Sequence, residues 1–218
     1  MPPHDRDPTP GDETPGEKTS TAGSNRVVVG VTGASGSIYA FRLVHELLER
    51  GYEVFLVASS AARQVIRQEI PDRAGDSDRV FTGLPDGRLR VFHEKDFFAP
   101  FCSGSFRLRG VVIVPASMGS VGAVASGYVA NSIHRAADVA LKEGFRLILV
   151  PRETPLSTVH LENLLKLSRA GTTVLPPMPA FYNHPRNIDD QTNFLIARIL
   201  DHLGIDNSLS PRWTEPPP

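Results

Sequence analysis

Residues 26–39 read RVVVGVTGASGSIY, and this stretch decides the fold of the chain. A short run of valines from Val27 to Val31 predicts a buried β-strand. Gly30, Gly33 and Gly36 follow at intervals of three, and a helical pattern begins directly after them. The N-terminus of a helix offers unpaired N–H groups and partial positive charge. A strand, a turn of small residues and a helix therefore predict a phosphate-binding turn.

The residues around this turn restrict the ligand. The turn contains neither GxGxxG nor GxxxxGK[ST], and no Lys follows the glycines, which disfavours a triphosphate. A second predicted strand, EVFLVA at residues 53–58, ends in Ser59 and Ser60. A dinucleotide fold would place Asp or Glu there for the ribose. Another phosphate-bearing ligand is therefore favoured, and a tight turn without any ligand is the simpler alternative.

Composition excludes several classes of protein. The chain has 218 residues, which predicts one domain with tails, and we place the domain at residues 26–205 and a C-terminal tail at 206–218. Lys and Arg number 23 and Asp and Glu 24, so a general nucleic-acid-binding surface is disfavoured. The single cysteine, Cys102, excludes an internal disulfide framework and fits a reducing compartment.

The N-terminal stretch and the absence of long apolar runs bear on localisation. No apolar run is long enough to span a membrane. Residues 1–25 are polar and rich in Pro, Gly and Thr, so we expect a disordered tail that is not a secretory signal. These observations predict a cytoplasmic protein that binds neither membranes nor nucleic acid.

Strand and helix patterns alternate along the chain. Strands are predicted at 26–31, 53–58, 110–115, 146–150 and 172–175, with helical patterns between them, and a further short strand is possible at 89–92. This alternation predicts an α/β fold, a doubly wound parallel sheet in three layers. Ligands bind such sheets at the carboxyl ends of the strands. We therefore expect the turn at 32–37, Ser59 and the turn at 116–120 to meet at one edge.

Several charged and aromatic side chains lie near predicted strand ends or helix faces. Arg152 and Glu153 directly follow a strand, so we expect them in the ligand crevice. The loop after the fifth strand places Tyr182 at the same edge. Arg135 and Lys142 are seven residues apart on one helix and share a face. For these two, and for Glu69 and Arg198, ordinary surface positions are the simpler interpretation. Trp213, the only tryptophan, is expected to dock rather than stay in water.

The motifs together resemble the UbiX/Pad1 family of flavin prenyltransferases. The matching stretches cover essentially residues 26–204, and the most specific are RAADVALKE, PRETPLS, HLEN and PAFY. The resemblance implies a flavodoxin-like, Rossmann-like fold and a metal-independent transferase. The reaction it implies joins a dimethylallyl group from dimethylallyl phosphate to N5 and C6 of reduced FMN.

The resemblance also implies partners. The product, prenylated FMN, would serve a UbiD-type decarboxylase, as in ubiquinone biosynthesis, and the family assembles as dodecamers.

The resemblance assigns roles to individual residues. It implies FMN contacts at Gly33, Ala34, Ser35, Ser59, Ser117, Met118, Gly119, Ser120 and Arg152. Around the dimethylallyl phosphate it places Arg135, Lys142, Glu153, Tyr182 and Arg198, with Trp213 near the prenyl pocket. It implies catalytic roles for Glu153, Lys142 and Glu69, and no metal ligand. These residue types fit the chemistry, since cations and a phenol stabilise a departing phosphate and a carboxylate can accept a proton.

The sequence departs from the family at two places. Ala130, Asn131 and Ser132 stand where relatives usually read DNL, and Ala116 replaces a frequent Cys.

Two other functions compete with this interpretation. A cysteine decarboxylase of the phosphopantothenoylcysteine type would show PASANT where this chain has PASMGS, and a catalytic His after the first helix. A non-enzymatic flavin-binding subunit would keep the flavin turn and lose the residues of the phosphate site, which this chain retains.

Overall fold

Six parallel strands form the central sheet of the protein. The computed structural model describes residues 24–75, 80–85 and 87–212. Its strands are β1 (Arg26–Val31), β2 (Glu53–Ala58), β3 (Leu89–Phe92), β4 (Gly110–Ala116), β5 (Arg146–Pro151) and β6 (Thr173–Val174). They lie in the order β3-β2-β1-β4-β5-β6, and every pair is parallel. The short strand expected at 89–92 is therefore present and forms an edge of the sheet.

This strand order confirms the predicted fold class. Without the edge strand β3, the other five strands run 2-1-3-4-5 in their own sequence order, which is the flavodoxin-like order. The chain reverses direction across the sheet between β1 and β4. Ligands of open α/β sheets bind at such a switch point, outside the carboxyl ends of the strands.

Six helices cover the two faces of the sheet. They are α1 (Ser37–Glu49), α2 (Ser60–Glu69), α3 (Met118–Ser126), α4 (Ser132–Glu143), α5 (Thr158–Arg169) and α6 (Ile188–Leu203). The first, second and sixth pack on one face with Val27 and Val29, whereas the other three pack on the opposite face with Val28. Successive strand residues point to opposite faces, so β1 contributes to both cores and the fold has three layers.

Polar caps set the helix boundaries. The helix expected from Asn131 begins one residue later, because the Asn131 side chain accepts a hydrogen bond from the His134 N–H at 2.9 Å and caps α4. In the same way Ser59 caps α2 and Asn187 caps α6. Among the described residues, no helix is both long and apolar enough to cross a membrane.

We expect Gly30→Ala to destabilise the protein by about 2 kcal/mol, a typical cost of overpacking a core. A Cβ at position 30 would lie 2.6 Å from Cγ2 of Ile133, a stiff side chain that is fully buried between α4 and the sheet. Gly122→Ala is the control, since its Cβ would meet only the side-chain nitrogen of Asn163, at 3.4 Å. Urea unfolding measures both variants, and equal midpoints would contradict the packing argument.

Candidate active site

Three turns meet at the carboxyl ends of β1, β2 and β4. The Thr32 hydroxyl donates to the Pro115 carbonyl at 2.9 Å and accepts from the Ser117 N–H at 2.7 Å. On the other side of β1, the Ser59 N–H donates to the Val31 carbonyl at 3.0 Å. The turns that were expected to share one edge of the sheet are therefore joined by hydrogen bonds.

Ser59 and Ser117 cap the helices that begin at this edge. The Ser59 Oγ accepts from the Ala62 N–H at 3.1 Å, and the Ser117 Oγ accepts from the Ser120 N–H at 3.4 Å. The simple interpretation of these serines as turn residues is thus correct. A hydroxyl that accepts such a bond still has its own hydrogen to donate. Capping and the donation of a hydrogen bond to an anionic ligand are therefore compatible at Ser59, whereas the Ser117 hydroxyl donates to the Ser120 oxygen at 3.3 Å.

Glycine allows close approach of the backbone at two positions of this edge. A Cβ at Gly33 would lie 2.6 Å from the Cβ of Ala61, so the first turn lies directly against the start of α2. At Gly119, in the first turn of α3, an added Cβ would meet nothing within 4 Å. The backbone of Gly119 therefore borders open space, in which a ligand can approach the main chain.

A carboxylate of the protein itself occupies the N-terminus of α1. The Glu69 carboxylate accepts hydrogen bonds from the N–H groups of Gly36 at 3.0 Å and Ser37 at 2.8 Å. Amides that were expected to face a ligand phosphate are thus paired within the chain, and the view of Glu69 as an ordinary surface residue needs correction. The physical reason is that α2 ends beside α1, so its last residue supplies the anion that a helix N-terminus favours.

Hydrogen bonds keep the Glu69 carboxylate ionised. Partial burial raises its pKa, but hydrogen bonds from the Ser35 side chain and from the first residues of α1 outweigh burial. The pKa of Glu69 therefore lies below its usual value. Ser35 and Glu69 are therefore joined by a hydrogen bond at the turn between β1 and α1.

Ser35, Glu69 and Arg152 line one open cavity of about 520 Å³. Tyr39 lines the same cavity, and its pKa is raised because burial raises it, Arg152 opposes this and Glu69 adds to it. Arg152 follows β5, and its N–H donates to the Ala116 carbonyl at 3.2 Å. The Arg at this strand end is thus in the crevice, where it can pair with an anionic group.

Arg135 and Lys142 lie on α4, on the other side of the sheet from α1 and α6. The Arg135 guanidinium donates to the Cys102 carbonyl at 3.1 Å and to Asp138 at 2.6 Å. Lys142 pairs with Glu143 and lies beside Gly104. Both cations therefore face the loop at residues 102–104, and each has an acidic neighbour on its own helix.

Tyr182 and Arg198 line a second cavity, of about 270 Å³, at the C-terminal end of the chain. The Tyr182 ring is 60% exposed and packs edge-to-face on Phe194, with 6.1 Å between ring centroids. Arg198 donates to Asp201 at 2.9 Å, and Asp201 also holds Arg212 through two bonds of 2.8 Å. These contacts fix the direction of the Arg198 side chain.

One copy of the chain does not gather the residues that the resemblance places around dimethylallyl phosphate. Arg135 and Lys142 belong to α4 on one face of the sheet, and Arg198 belongs to α6 on the other. Arg135, Lys142 and Arg198 are all absent from the lining of the cavity that contains Arg152. The sheet therefore separates the cations of α4 from Arg198 within one copy of the chain.

The remaining predicted site residues are placed as follows. Glu153 is exposed after β5, and its carboxylate accepts the Thr154 N–H at 2.9 Å. Met118 is buried in the core beneath α3. Trp213 lies outside the described residues. Among the residues that are described, no three His, Cys, Asp or Glu side chains group in a way that could hold a metal ion.

Sequence reasoning missed His134. This residue is buried in α4, and its Nε2 lies 3.3 Å from the Ser120 hydroxyl. Burial lowers its pKa, against an opposing effect of Glu94 and together with a smaller lowering by Lys95. No spacing in the sequence links positions 120 and 134, since two helices on the same face of the sheet bring them together.

The sequence and the fold are both similar to those of known proteins. A family model described as Flavoprotein matches residues 15–198. The flavin prenyltransferase UbiX of Halalkalibacterium halodurans is 46% identical over 190 residues, which are 86% of this chain and 92% of that protein.

Two solved structures are also similar. A dodecameric FMN-dependent UbiX-like decarboxylase from Escherichia coli O157:H7 is 43% identical with a TM-score of 0.79, covering 87% of this chain and 99% of that one. A UbiX protein (PadA1) in complex with FMN and dimethylallyl pyrophosphate is 36% identical with a TM-score of 0.77, covering 88% of this chain and 98% of that one.

We expect Glu69→Gln to lower the free energy of unfolding at pH 7 by about 0.5 kcal/mol, since solvent screens part of the charge lost from the α1 N-terminus. Because the pKa of Glu69 is lowered in the folded chain, its charge stabilises the fold above the usual Glu value of 4.5. That contribution disappears as the pH falls through 4.5 toward the lower pKa of the folded chain.

Urea unfolding of both proteins at pH 7 and pH 4 checks this expectation. The difference between wild type and variant should shrink at the lower pH, and Glu162→Gln, at an exposed position of α5, should show no such trend. An equal penalty at both pH values would remove the ionised carboxylate from the explanation.

Proposed function

This chain belongs to the UbiX family of flavin prenyltransferases, and we propose that it joins a dimethylallyl group from dimethylallyl phosphate to N5 and C6 of reduced FMN. Family membership makes the chain a transferase. The observation that carries the proposal is the meeting of hydroxyl-lined turns with Arg152 at the switch point, in a chain so similar to known flavin prenyltransferases.

FMN fits the donors at the edge of the sheet. The hydroxyls of Ser59 and Ser120 can donate hydrogen bonds, Ser117 supports Ser120 by donating to its oxygen, and Arg152 adds a cation beside the turn at Gly33, Ala34 and Ser35. A phosphomonoester and an isoalloxazine ring present acceptors to such groups. The reduced flavin supplies the nucleophilic positions N5 and C6. The open backbone at Gly119 leaves room for a ring to lie against α3.

The prenyl donor needs cations, because the bond between the allylic carbon and oxygen breaks and phosphate leaves as an anion. We assign Arg135, Lys142, Tyr182 and Arg198 to that anion, by the family resemblance and by the hydrogen bonds they can donate. The aromatic faces of Tyr182 and Trp213 would stabilise cationic character on the allyl group.

A second copy of the chain would complete this site. The helices α4 and α6 lie on opposite faces of one monomer, so a neighbouring subunit is needed for their cations to reach one phosphate. The similar protein from Escherichia coli O157:H7 is dodecameric. We therefore propose that this chain forms a homo-oligomer, a dodecamer, in which the active site lies between subunits.

Protons must leave the flavin as the new bonds form. We assign the base to Glu153, an exposed carboxylate directly after β5, and the departing phosphate is the alternative acceptor. The Ser35–Glu69 pair lies in the same cavity as Arg152. The Glu69 carboxylate accepts a hydrogen bond from the Ser35 hydroxyl and can thereby hold a proton on it. The product, prenylated FMN, would then pass to a UbiD-type decarboxylase.

The decisive experiment incubates the purified protein with FMN, dithionite and dimethylallyl phosphate under anaerobic conditions. The mass of the flavin should rise by one prenyl unit. Bound flavin of unchanged mass would instead favour a non-enzymatic flavin-binding subunit, and it would overturn the transferase reaction. Replacing the donor by dimethylallyl diphosphate tests which phosphate ester the site accepts.

We expect Glu153→Gln to bind FMN normally but to lose at least about 100-fold in kcat, the usual contribution of a general base. Anaerobic flavin prenylation measures turnover, and flavin fluorescence measures binding. Glu162→Gln serves as the matched control, since Glu162 is an exposed Glu in the following helix. Unchanged turnover in Glu153→Gln would assign proton removal to the phosphate.

A further inference from the structure

Ser120 and His134 form a partly buried contact at the start of α3. The Nε2 atom of His134 lies 3.3 Å from the Ser120 hydroxyl, and the Ser117 hydroxyl donates to the same oxygen at 3.3 Å. His134 is 7% exposed and projects from α4 toward the first turn of α3. The Ser120 oxygen thus has two neighbours that approach it from inside the protein.

A backbone contact fixes the tautomer of His134. The Ala130 N–H donates to Nδ1 of His134 at 3.4 Å, so Nδ1 is the acceptor nitrogen of the ring. A neutral imidazole that accepts at Nδ1 carries its hydrogen on Nε2. Nε2 therefore donates to Ser120. Glu94 and Lys95 are the charged groups that face the ring, and burial keeps it neutral by lowering its pKa.

With these two neighbours, the Ser120 hydroxyl can make one further hydrogen bond, as a donor. A serine oxygen accepts at most two hydrogen bonds and donates one. His134 and Ser117 supply the two that it accepts. Within the described part of the chain, no group accepts a hydrogen bond from the Ser120 hydroxyl. Its hydrogen is therefore available only to an acceptor that enters from the open side of the turn.

We propose that His134 is a positioning residue that holds the Ser120 hydroxyl as an obligatory donor to an acceptor atom of bound FMN. The inference rests on the proposed flavin site and adds to it a residue that does not touch the ligand. A ligand with a donor at that point would meet an unfavourable contact, so His134 contributes to specificity.

Two amide substitutions separate the two nitrogens of the ring. In His134→Gln the longer side chain places an amide N–H near the Nε2 position and can still reach Ser120. In His134→Asn the shorter side chain remains near the Nδ1 position and cannot. We expect FMN to bind His134→Gln within about twofold of wild type and His134→Asn about tenfold more weakly, the effect of losing one hydrogen bond. Flavin fluorescence titration measures both.

A double-mutant cycle with Ser120→Ala tests whether His134 acts through Ser120. In the Ser120→Ala background, His134→Asn should have no further effect on FMN affinity, since the hydroxyl that it positions is absent. A full additional loss in that background would overturn the proposal, and so would wild-type affinity in His134→Asn. A merely structural role would weaken both amide variants alike.

The same titration distinguishes a failure of the proposed function from a failure of the role proposed for His134. If the wild-type protein binds no FMN, the proposed function fails. If the wild type binds FMN and the cycle is additive, only the role of His134 fails. Thermal unfolding of each variant confirms that affinity is compared among folded proteins.

Discussion

The Thr32 side chain joins the two halves of the sheet at the point where ligands bind. Its hydroxyl donates to the main chain of β4 and accepts from the first amide of the turn that leads into α3. Replacing the hydroxyl would leave the Ser117 N–H without this acceptor, whereas the Pro115 carbonyl would keep the bond from the Thr32 N–H at 3.2 Å. The turns after β1 and β4 are thereby held at a fixed separation, and the caps and charges at this edge depend on it.

The serines at this edge have structural roles beside the ligand contacts proposed for them. Ser59 and Ser117 each accept a bond from their own helix; Ser59 keeps a hydrogen to donate, whereas Ser117 donates to Ser120. Ser120 depends on His134 for the direction of its hydrogen. Glu69 takes the place of an external anion at α1. The edge is therefore preorganised: its polar groups are directed before a ligand arrives, which reduces the entropy lost on binding.

The sheet also limits what one subunit can do. It separates the cations of α4 from Arg198 on α6, so the proposed flavin site is built within one chain and the cations proposed for the phosphate are divided. Each cation has an acidic neighbour, such as Asp138 beside Arg135 and Asp201 beside Arg198. These ion pairs are partly exposed and weak, so an incoming phosphate can compete for the guanidinium groups.

The sequence by itself determined the layers, the alternation of strands and helices, and the meeting of the three turns. Those features follow from local patterns, namely β-branched runs, helical spacing and capping residues, and from the rule that parallel strands end at one edge. Only the tertiary structure decided that Glu69 covers the α1 amides, that His134 reaches Ser120, and that α4 and α6 are apart. These contacts join residues distant in sequence, and they depend on how helices pack against the sheet, which no local pattern encodes.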